Sequence, residues 1–230
     1  MSLHVIILAA GKGSRMKSDT PKVLHPVAGT PMLHRVMSTA KRLAPEQLHL
    51  VLGHGIEAIQ DTLADQWSAT NIVQQAEQLG TGHAVNIALD HLPNDGISLV
   101  LYGDVPLITV DTLEHCVAIA DAGELGIVTA NMSDPAQLGR ILRNDTDAIE
   151  AIVEYKDATQ QQRAIHEINS GILAAPTHLL RHWLSQVQPN NQQGEYYLTD
   201  VVALAVNDGV GVQGIVVDDE NEVMGVNDRV

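Results

Sequence analysis

An α/β fold, a mainly parallel sheet flanked by helices, is predicted by three features of this sequence. Apolar runs of strand length alternate with amphipathic runs of helix length from Leu3 to Met132, the rhythm of successive βα units. Several of the strand runs show no polar alternation, as expected for strands buried on both faces. The composition supports a large aliphatic core: 45% of the 230 residues are hydrophobic, yet only 3% are aromatic and none is Phe.

The elements follow in order. "LHVIILAA" from Leu3 is a buried strand, and "PMLHRVMSTAKRL" places Met32, Leu33, Val36, Met37, Ala40 and Leu43 at helical spacing. "LHLVLG" from Leu48 is a second strand and "GIEAIQDTLADQW" from Gly55 a second helix. A short "NIV" strand at Asn71 leads into the helix "GHAVNIALDHL". "ISLVLYGD" from Ile97 is an apolar strand ending on an acid, "TVDTLEHCVAIADA" reads as helix and "LGIVTANM" as strand. From about Pro135 the rhythm changes. The turn cluster "NDTD" between two strand-like runs predicts a β-hairpin inserted in the α/β core. "NSGILAAP" returns to a strand, "THLLRHWLSQV" and "YYLTDVVALAVND" are helical, and "VQGIVVD" is a late strand. No repeat, low-complexity tract or linker forces a boundary, so a single domain over 1–230 is the expectation.

Charge and cysteine usage narrow the function. A formal net charge of −15 argues against general binding to nucleic acid or an anionic membrane. The single cysteine, Cys116, precludes an internal disulfide, suits a reducing compartment and reads as packing within an amphipathic helix. The start "MSLHVIILAAGKG" lacks a basic leader and its apolar run is too short for a signal peptide or a span, so a cytoplasmic location is expected.

Against that acidic background, "VIILAAGKGSRMKSDTPKVL" crowds Lys12, Arg15, Lys17 and Lys22 into eleven positions, four of the 13 Lys and Arg residues. It is not a P-loop, because the G-x-x-x-x-G-K-[ST] spacing is missing, nor a dinucleotide fingerprint, because Met16 stands at the third glycine position. Gly11 and Gly13 allow the backbone to approach an anion closely, Arg15 can grip phosphate oxygens in a fork, and Lys22, stiffened by Pro21, supplies a point charge. In open parallel sheets ligands gather at the carboxyl ends of strands, so this loop and the "YGD" after "ISLVL" are expected to meet over one pocket. His178 and His182 have the i, i+4 spacing of zinc-binding helices, but the glutamate of H-E-x-x-H is absent and no third ligand is evident.

The fuller pattern "LAAGKGSRMKSDTPKVL" resembles the signature loop of sugar-nucleotide pyrophosphorylases, L-A-A-G-x-G-[ST]-R-M…P-K. With "KVLHPVAGTPML", "QQAEQLGTGHA", "LYGDVPLI", "GRI", "IVEYKDAT", "EINSGI", "QGEYYLTDV" and "GVNDRV", the resemblance extends over nearly the whole chain to the uridylyltransferase domain of the bacterial N-acetylglucosamine-1-phosphate uridylyltransferase family. That resemblance implies a Rossmann-like nucleotidyltransferase fold, with a nucleotide-binding part at about 1–110 and a sugar-binding part at about 111–230. It implies Mg²⁺-dependent uridylyl transfer from UTP to N-acetyl-α-D-glucosamine 1-phosphate, giving UDP-N-acetylglucosamine and pyrophosphate for peptidoglycan and lipopolysaccharide precursors. Leu8, Ala9, Ala10 and Gly11 would line the nucleotide, Arg15 and Lys22 would contact phosphates and carry catalysis, and Gln75 would read uracil beside Gly80 and Thr81. Asp104 and Asn227 would hold the metal, with Tyr102 and Gly103 bordering nucleotide and sugar. Gly139, Glu154 and Asn169 would bind the sugar, with Tyr197 and Thr199 nearby. Leu138 replaces the family's usual aromatic before "GRI", which predicts altered sugar packing.

In that family a left-handed β-helix commonly follows, carrying acetyltransferase activity and the trimer contacts. Without such hexapeptide repeats this chain is expected to lack acetyltransferase activity and to be a monomer or weak oligomer. Other nucleotidyltransferases of the same fold, or a non-catalytic nucleotide-binding module, remain the alternatives.

Overall fold

The structure, a computed structural model, describes residues 1–11, 16, 18, 20–53, 55–63 and 70–227. Strand β1 (Leu3–Leu8) is followed by a small hairpin, β2 (Pro26–Val27) and β3 (Thr30–Pro31), and then by helix α1 (Met32–Arg42). Next come β4 (Gln47–Leu52), α2 (Ile56–Thr62), β5 (Thr70–Gln74), α3 (Thr81–Leu89), β6 (Ile97–Tyr102), α4 (Val110–Asp121) and β7 (Leu125–Asn131). The second half holds β8 (Arg140–Arg143), β9 (Ile149–Val153), α5 (Gln160–Arg163), β10 (Glu167–Pro176), α6 (Thr177–Leu184), α7 (Asp200–Asn207) and β11 (Val212–Val217).

Among the described residues nine strands join one sheet, whose main path runs β11–β7–β10–β6–β1–β4–β5. Strands β6, β1, β4 and β5 are mutually parallel, β11 is parallel to β7, and β10 runs antiparallel to both β6 and β7. The β8–β9 hairpin is the predicted insertion and joins the sheet through the pair Ile168–Arg140. The sheet is thus mixed but mainly parallel, as the sequence predicts.

Alternation along the strands builds two apolar layers. Val5, Ile7, Leu50 and Leu52 pack on Leu33, Val36 and Met37 of α1 and on Leu113 and Cys116 of α4. Ile6, Leu8, Val51 and Val73 face the other way, onto Val85 and Ala88 of α3, Leu180 and Trp183 of α6, and Val201 and Val202 of α7. Helices therefore cover both faces, which explains why the strand runs read as continuously apolar.

Some elements differ from the sequence reading. Helix α7 begins at Asp200, not near Tyr196, because the backbone of residues 196–198 is bonded to the β5–α3 loop instead. The helix predicted from Gly55 is seen as α2 through Thr62, and residues 64–69 lie outside the described residues. The β2–β3 hairpin and the four-residue α5 are too short to leave a period in the sequence. Helix α4 is capped by Thr109, whose hydroxyl accepts from the Thr112 N–H at 3.3 Å.

Candidate active site

Four parallel strands end along one line. Leu8 pairs with Tyr102 on one side and Val51 on the other, and Leu52 pairs with Gln74. Backbone bonds continue that alignment into the loops: Ala9 N–H donates to Val51 at 2.9 Å, Gln75 N–H to Leu52 at 2.8 Å, and Gly103 N–H to Leu8 at 2.9 Å. A cleft of about 360 Å³ opens over these ends. Leu8, Ala9, Ala10 and Gly11 line it from the first loop, and Gln75, Gly80 and Thr81 from the loop after β5. Lys22, Tyr102, Asp104 and Asn227 complete the predicted residues that it gathers. Arg15, with Lys12, Gly13 and Lys17, lies outside the described residues.

At the β5–α3 end, Gln75 is 4% exposed and its Nε2 donates to the Gly80 carbonyl at 3.2 Å. His83 Nδ1 lies 3.1 Å from the same nitrogen. A carbonyl can only accept, so the nitrogen is the amide atom on this side and His83 Nδ1 is the second acceptor. Both amide protons are then engaged, and Oε1 is the Gln75 atom left to accept from a ligand. Gln78, which sequence reasoning did not single out, donates from Nε2 to the Ala10 carbonyl at 2.6 Å, tying this loop to the first. Glu195 also lines the cleft and was likewise missed.

The β5–α3 loop is zipped to residues 196–198. Tyr196 N–H donates to Leu79 and Gly82 N–H to Tyr196, each at 2.8 Å, and Leu198 N–H donates to Thr81 Oγ1 at 3.1 Å. Gly80 makes this possible: its φ is +114°, and a Cβ there would stand 2.5 Å from the Tyr196 carbonyl oxygen.

A lysine–aspartate–asparagine cluster occupies the other end. Lys22 opens a one-turn 3-10 helix, Lys22–Leu24, anchored by buried Val23 and Leu24. Its ammonium bonds the Asp104 carboxylate and donates to Asn227 Oδ1 at 2.7 Å. Asp104 also holds the chain that carries Asn227, since Val226 N–H donates to its carbonyl at 2.9 Å. A carboxylate and a side-chain amide oxygen therefore converge on one positive charge, and hard oxygens so placed fit a small divalent ion. Among the described residues there is no group of three or more His, Cys, Asp or Glu that could hold a metal unaided. A divalent ion here would need phosphate oxygens and water to complete its shell, the usual habit of Mg²⁺.

Tyr102 joins this cleft to a second group. Its ring packs on Gly171, where a Cβ would stand 2.5 Å from Tyr102 Cε2, a contact the sequence reading passed over within "EINSGI". Burial pushes the Tyr102 phenol well above its ordinary range, the negative charges of Glu154 and Asp104 add to the shift, and a hydrogen bond with Thr81 opposes it. Glu154 accepts from the Thr199 hydroxyl at 3.2 Å and faces Gly139, where a Cβ would stand 3.5 Å from Glu154 Oε2. Burial raises the Glu154 pKa; the Thr199 bond opposes this, while nearby Asp157, Asp200 and Glu195 reinforce it. Asn169 N–H donates to the Gly139 carbonyl at 2.9 Å. Tyr197 is committed elsewhere: its hydroxyl accepts from Gln193 at 2.7 Å and donates to Asp157 at 3.2 Å, which pins the 191–197 loop.

Arg140, in the "GRI" stretch, is 2% exposed and cages the loop before it. Its guanidinium donates to the carbonyls of Pro135 at 3.3 Å and Ala136 at 3.0 Å, and bonds that of Leu138. Leu138 packs partly buried against the apolar core. The remaining sequence candidates are structural. His182 sits on the exposed face of α6 with Nε2 3.4 Å from Asp208 Oδ2, and Cys116 is buried, its thiol donating to the Gly126 carbonyl at 3.4 Å and pushed up by burial to about 12. No helix among the described residues is long and apolar enough to cross a membrane.

Known proteins resemble this chain in sequence and in shape. The model of the MobA-like NTP transferase domain matches residues 5–191. The chain is 53% identical over 229 residues to the Bifunctional protein GlmU of Pseudomonas aeruginosa strain LESB58, with 100% of this chain aligned to 50% of that protein. The protein of the same name from Marinobacter nauticus is 53% identical over 227 residues, covering 99% of this chain and 50% of its own length. The chain thus spans about half the length of these relatives. Among solved structures, a UDP-glucose pyrophosphorylase complexed with UDP-glucose superposes with a TM-score of 0.76 at 17% identity, covering 90% of this chain and 88% of its own. The inositol-1-phosphate CTP transferase from T. maritima gives 0.71 at 17% identity, covering 95% and 90%. At such identities the structural likeness establishes the fold alone.

Proposed function

The chain belongs to the MobA-like NTP transferase family, a nucleotidyltransferase family, and we propose that it transfers a uridylyl group from UTP to N-acetyl-α-D-glucosamine 1-phosphate. The products are UDP-N-acetylglucosamine and pyrophosphate, destined for cell-envelope precursors in the cytoplasm. The observation that carries this reading is the convergence, over the ends of β1, β4, β5 and β6, of an amide fixed to accept and a lysine–aspartate–asparagine cluster. Identity to GlmU relatives supports the choice of substrates.

Each end of the cleft has a task in this reading. Gln75 Oε1 accepts from the N3–H of uracil; cytosine presents a lone pair at N3 and is repelled. Leu8 to Gly11 bring backbone beneath the phosphates, with Arg15 and Lys22 supplying positive charge. The sugar phosphate lies toward Gly139, Glu154 and Asn169, so residues from about 1 to 110 serve mainly the nucleotide and those from about 111 to 230 mainly the sugar, with Asn227 reaching back to the phosphate end. Tyr197 and Thr199 hold that wall in place, through Asp157 and Glu154.

An oxygen of the sugar phosphate attacks the α-phosphorus, and the bond from that phosphorus to the bridging oxygen of pyrophosphate breaks. The attacking oxygen is already anionic near neutral pH, so no general base is required. The work lies in aligning two anions and stabilising charge on the leaving pyrophosphate, to which Arg15 and Lys22 contribute. Asp104 and Asn227 would hold Mg²⁺, which when bound neutralises phosphate charge at this end of the cleft.

The test is to incubate the protein with UTP, CTP or dTTP, with N-acetylglucosamine 1-phosphate or glucose 1-phosphate, and with Mg²⁺, and to assay pyrophosphate. Release only with UTP and the N-acetylated sugar is expected. Equal release with CTP, or none with any pair, defeats the reading.

A further inference from the structure

We propose that Lys22 is an exchangeable counter-cation: without nucleotide its ammonium holds the oxygens of Asp104 and Asn227 together, and a divalent ion arriving with nucleotide displaces it toward the phosphates. The proposal rests on the metal-binding role given to Asp104 and Asn227 above. Its basis is that one nitrogen bonds both oxygens, with Asn227 Oδ1 at 2.7 Å, so the point where a divalent ion would meet them is the point the ammonium holds. Two oxygens bonded to one nitrogen need only a small contraction to meet an ion with bonds of about 2.1 Å.

The surroundings make the exchange a side-chain movement. Val23 and Leu24 are buried, Leu24 N–H donates to Pro21 at 2.9 Å and His25 N–H to Lys22 at 3.1 Å, so the backbone under Lys22 is fixed. The four-carbon stem is the part free to swing, and an ammonium forms no directional fork that would hold it to one carboxylate. A divalent ion bonded to both oxygens would stand where the ammonium stands, and two cations cannot occupy one position, so ammonium and divalent ion exclude one another there. The triphosphate resolves the conflict, because it offers Lys22 new anionic partners in the same cleft that Gly11 and Asp104 line.

This makes divalent-ion and nucleotide binding interdependent. In the absence of nucleotide the ion must expel Lys22 with no compensating contact, so it binds weakly; with nucleotide both cations find oxygens. Lys22 thereby acts as a positioning residue in the free protein as well as a charge on the leaving group.

Mn²⁺ is the probe, its binding to nucleotide-free protein followed by the loss of the free-ion electron paramagnetic resonance signal. Lys22→Met and Lys22→Gln should each bind Mn²⁺ at least tenfold more tightly than wild type, and Lys22→Arg about as weakly as wild type. Adding Asp104→Asn to Lys22→Met should abolish the gain, which locates it at these oxygens, with thermal melting confirming the fold of each variant. Mn²⁺ affinity in both Lys22→Met and Lys22→Gln equal to or below wild type overturns the proposal. So does a gain that survives Asp104→Asn. Neither outcome depends on turnover, so failure of the pyrophosphate assay with the Mn²⁺ gain intact would remove the assigned reaction and leave the exchange standing.

Discussion

Replacing Gly80 by Ala tests whether the cleft depends on the close contact between the β5–α3 loop and residues 196–198. Gly80 has φ +114° and ψ 174°, a region that other residues occupy at a cost of about 1–3 kcal/mol. The added Cβ would stand 2.5 Å from the Tyr196 carbonyl oxygen and 2.9 Å from its nitrogen. Both neighbours are backbone, so no side chain can rotate away, and overpacking of this kind costs about 1–3 kcal/mol more. The total is about 2–6 kcal/mol. The loop can relieve it only by leaving Tyr196, which breaks the bonds from Tyr196 to Leu79 and from Gly82 to Tyr196. The same movement draws the Gly80 carbonyl from Gln75 Nε2 and frees the amide to turn. UTP affinity should therefore fall at least tenfold while the rest of the fold survives. Gly29→Ala is the control, since Gly29 has φ +80° with nothing within 4 Å of a Cβ and does not line the cleft. It should lose only about 1–2 kcal/mol of backbone strain and leave UTP binding unchanged. Urea unfolding and calorimetric titration with UTP measure both. If Gly80→Ala loses no more stability than Gly29→Ala and binds UTP within twofold of wild type, the coupling between these loops is refuted.

Three further outcomes follow from the same contacts. Gln75→Glu sets a carboxylate oxygen against the Gly80 carbonyl and His83 Nδ1; a lost buried hydrogen bond costs about 1–3 kcal/mol, so equilibrium binding of UTP should weaken tenfold or more. Unchanged affinity would remove Gln75 from base recognition. Arg140→Met removes the donor to the carbonyls of Pro135, Ala136, Leu138 and Arg163, of which Pro135 keeps the Leu138 N–H at 3.1 Å, and should cost about 2–4 kcal/mol by urea unfolding. It should raise KM for the sugar phosphate more than KM for UTP, because the caged loop leads into Gly139; equal effects on both would count against that assignment. His49, 0% exposed, has its pKa pushed down to about 4, first by burial and then by the charges of His4 and His91. Unfolded His49 takes up its proton nearer pH 6.5, so the unfolded chain binds more protons between the two values and stability falls as pH drops through that window. The loss attributable to His49 is on the order of 2–3 kcal/mol. Urea unfolding at pH 7.5 and 4.5 should show a smaller loss in His49→Asn, and an equal loss would refute the assignment.

The sequence makes the strands and most helices legible because burial on two faces leaves long apolar runs, whereas helices leave a 3.6-residue period. It does not encode which strand pairs with which. "NSGILAAP" reads as a strand, but nothing local places β10 between β6 and β7 or reverses its direction. The site residues divide in the same way. Lys22 is announced by its basic, glycine-rich loop, whereas Gln75, Asp104 and Asn227 are singled out by the motifs that carry the family resemblance, and the structure brings all four to one cleft. Gln78 acts through the Ala10 carbonyl, and Asp157 acts by fixing Tyr197, so each matters for a contact made distant in sequence. Arg140 is the same case: a lone arginine gives no sign that four carbonyls will close around it.

Register is the link between that core and the chemistry. A sheet with one wet face resists a one-residue slip because slipping would bury its polar residues. Strands β1 and β6 are buried on both faces, so hydropathy alone places little penalty on such a slip. Specific contacts must hold the register instead. One is the buried bond between the hydroxyls of Ser98 on β6 and Thr177 at the start of α6, 2.9 Å long. Another is Gly103, where a Cβ would stand 3.2 Å from each of Ala9, Leu33 and Val23. Moving β6 by one residue would put a side chain into that gap and push against Val23, whose neighbour is Lys22. The Gly103 to Leu8 bond would be lost and Asp104 would leave Lys22 by about 3.3 Å, the rise of one strand residue. A small residue after the strand thus fixes the distance between the two charges on which the proposed metal site and phosphate site both depend.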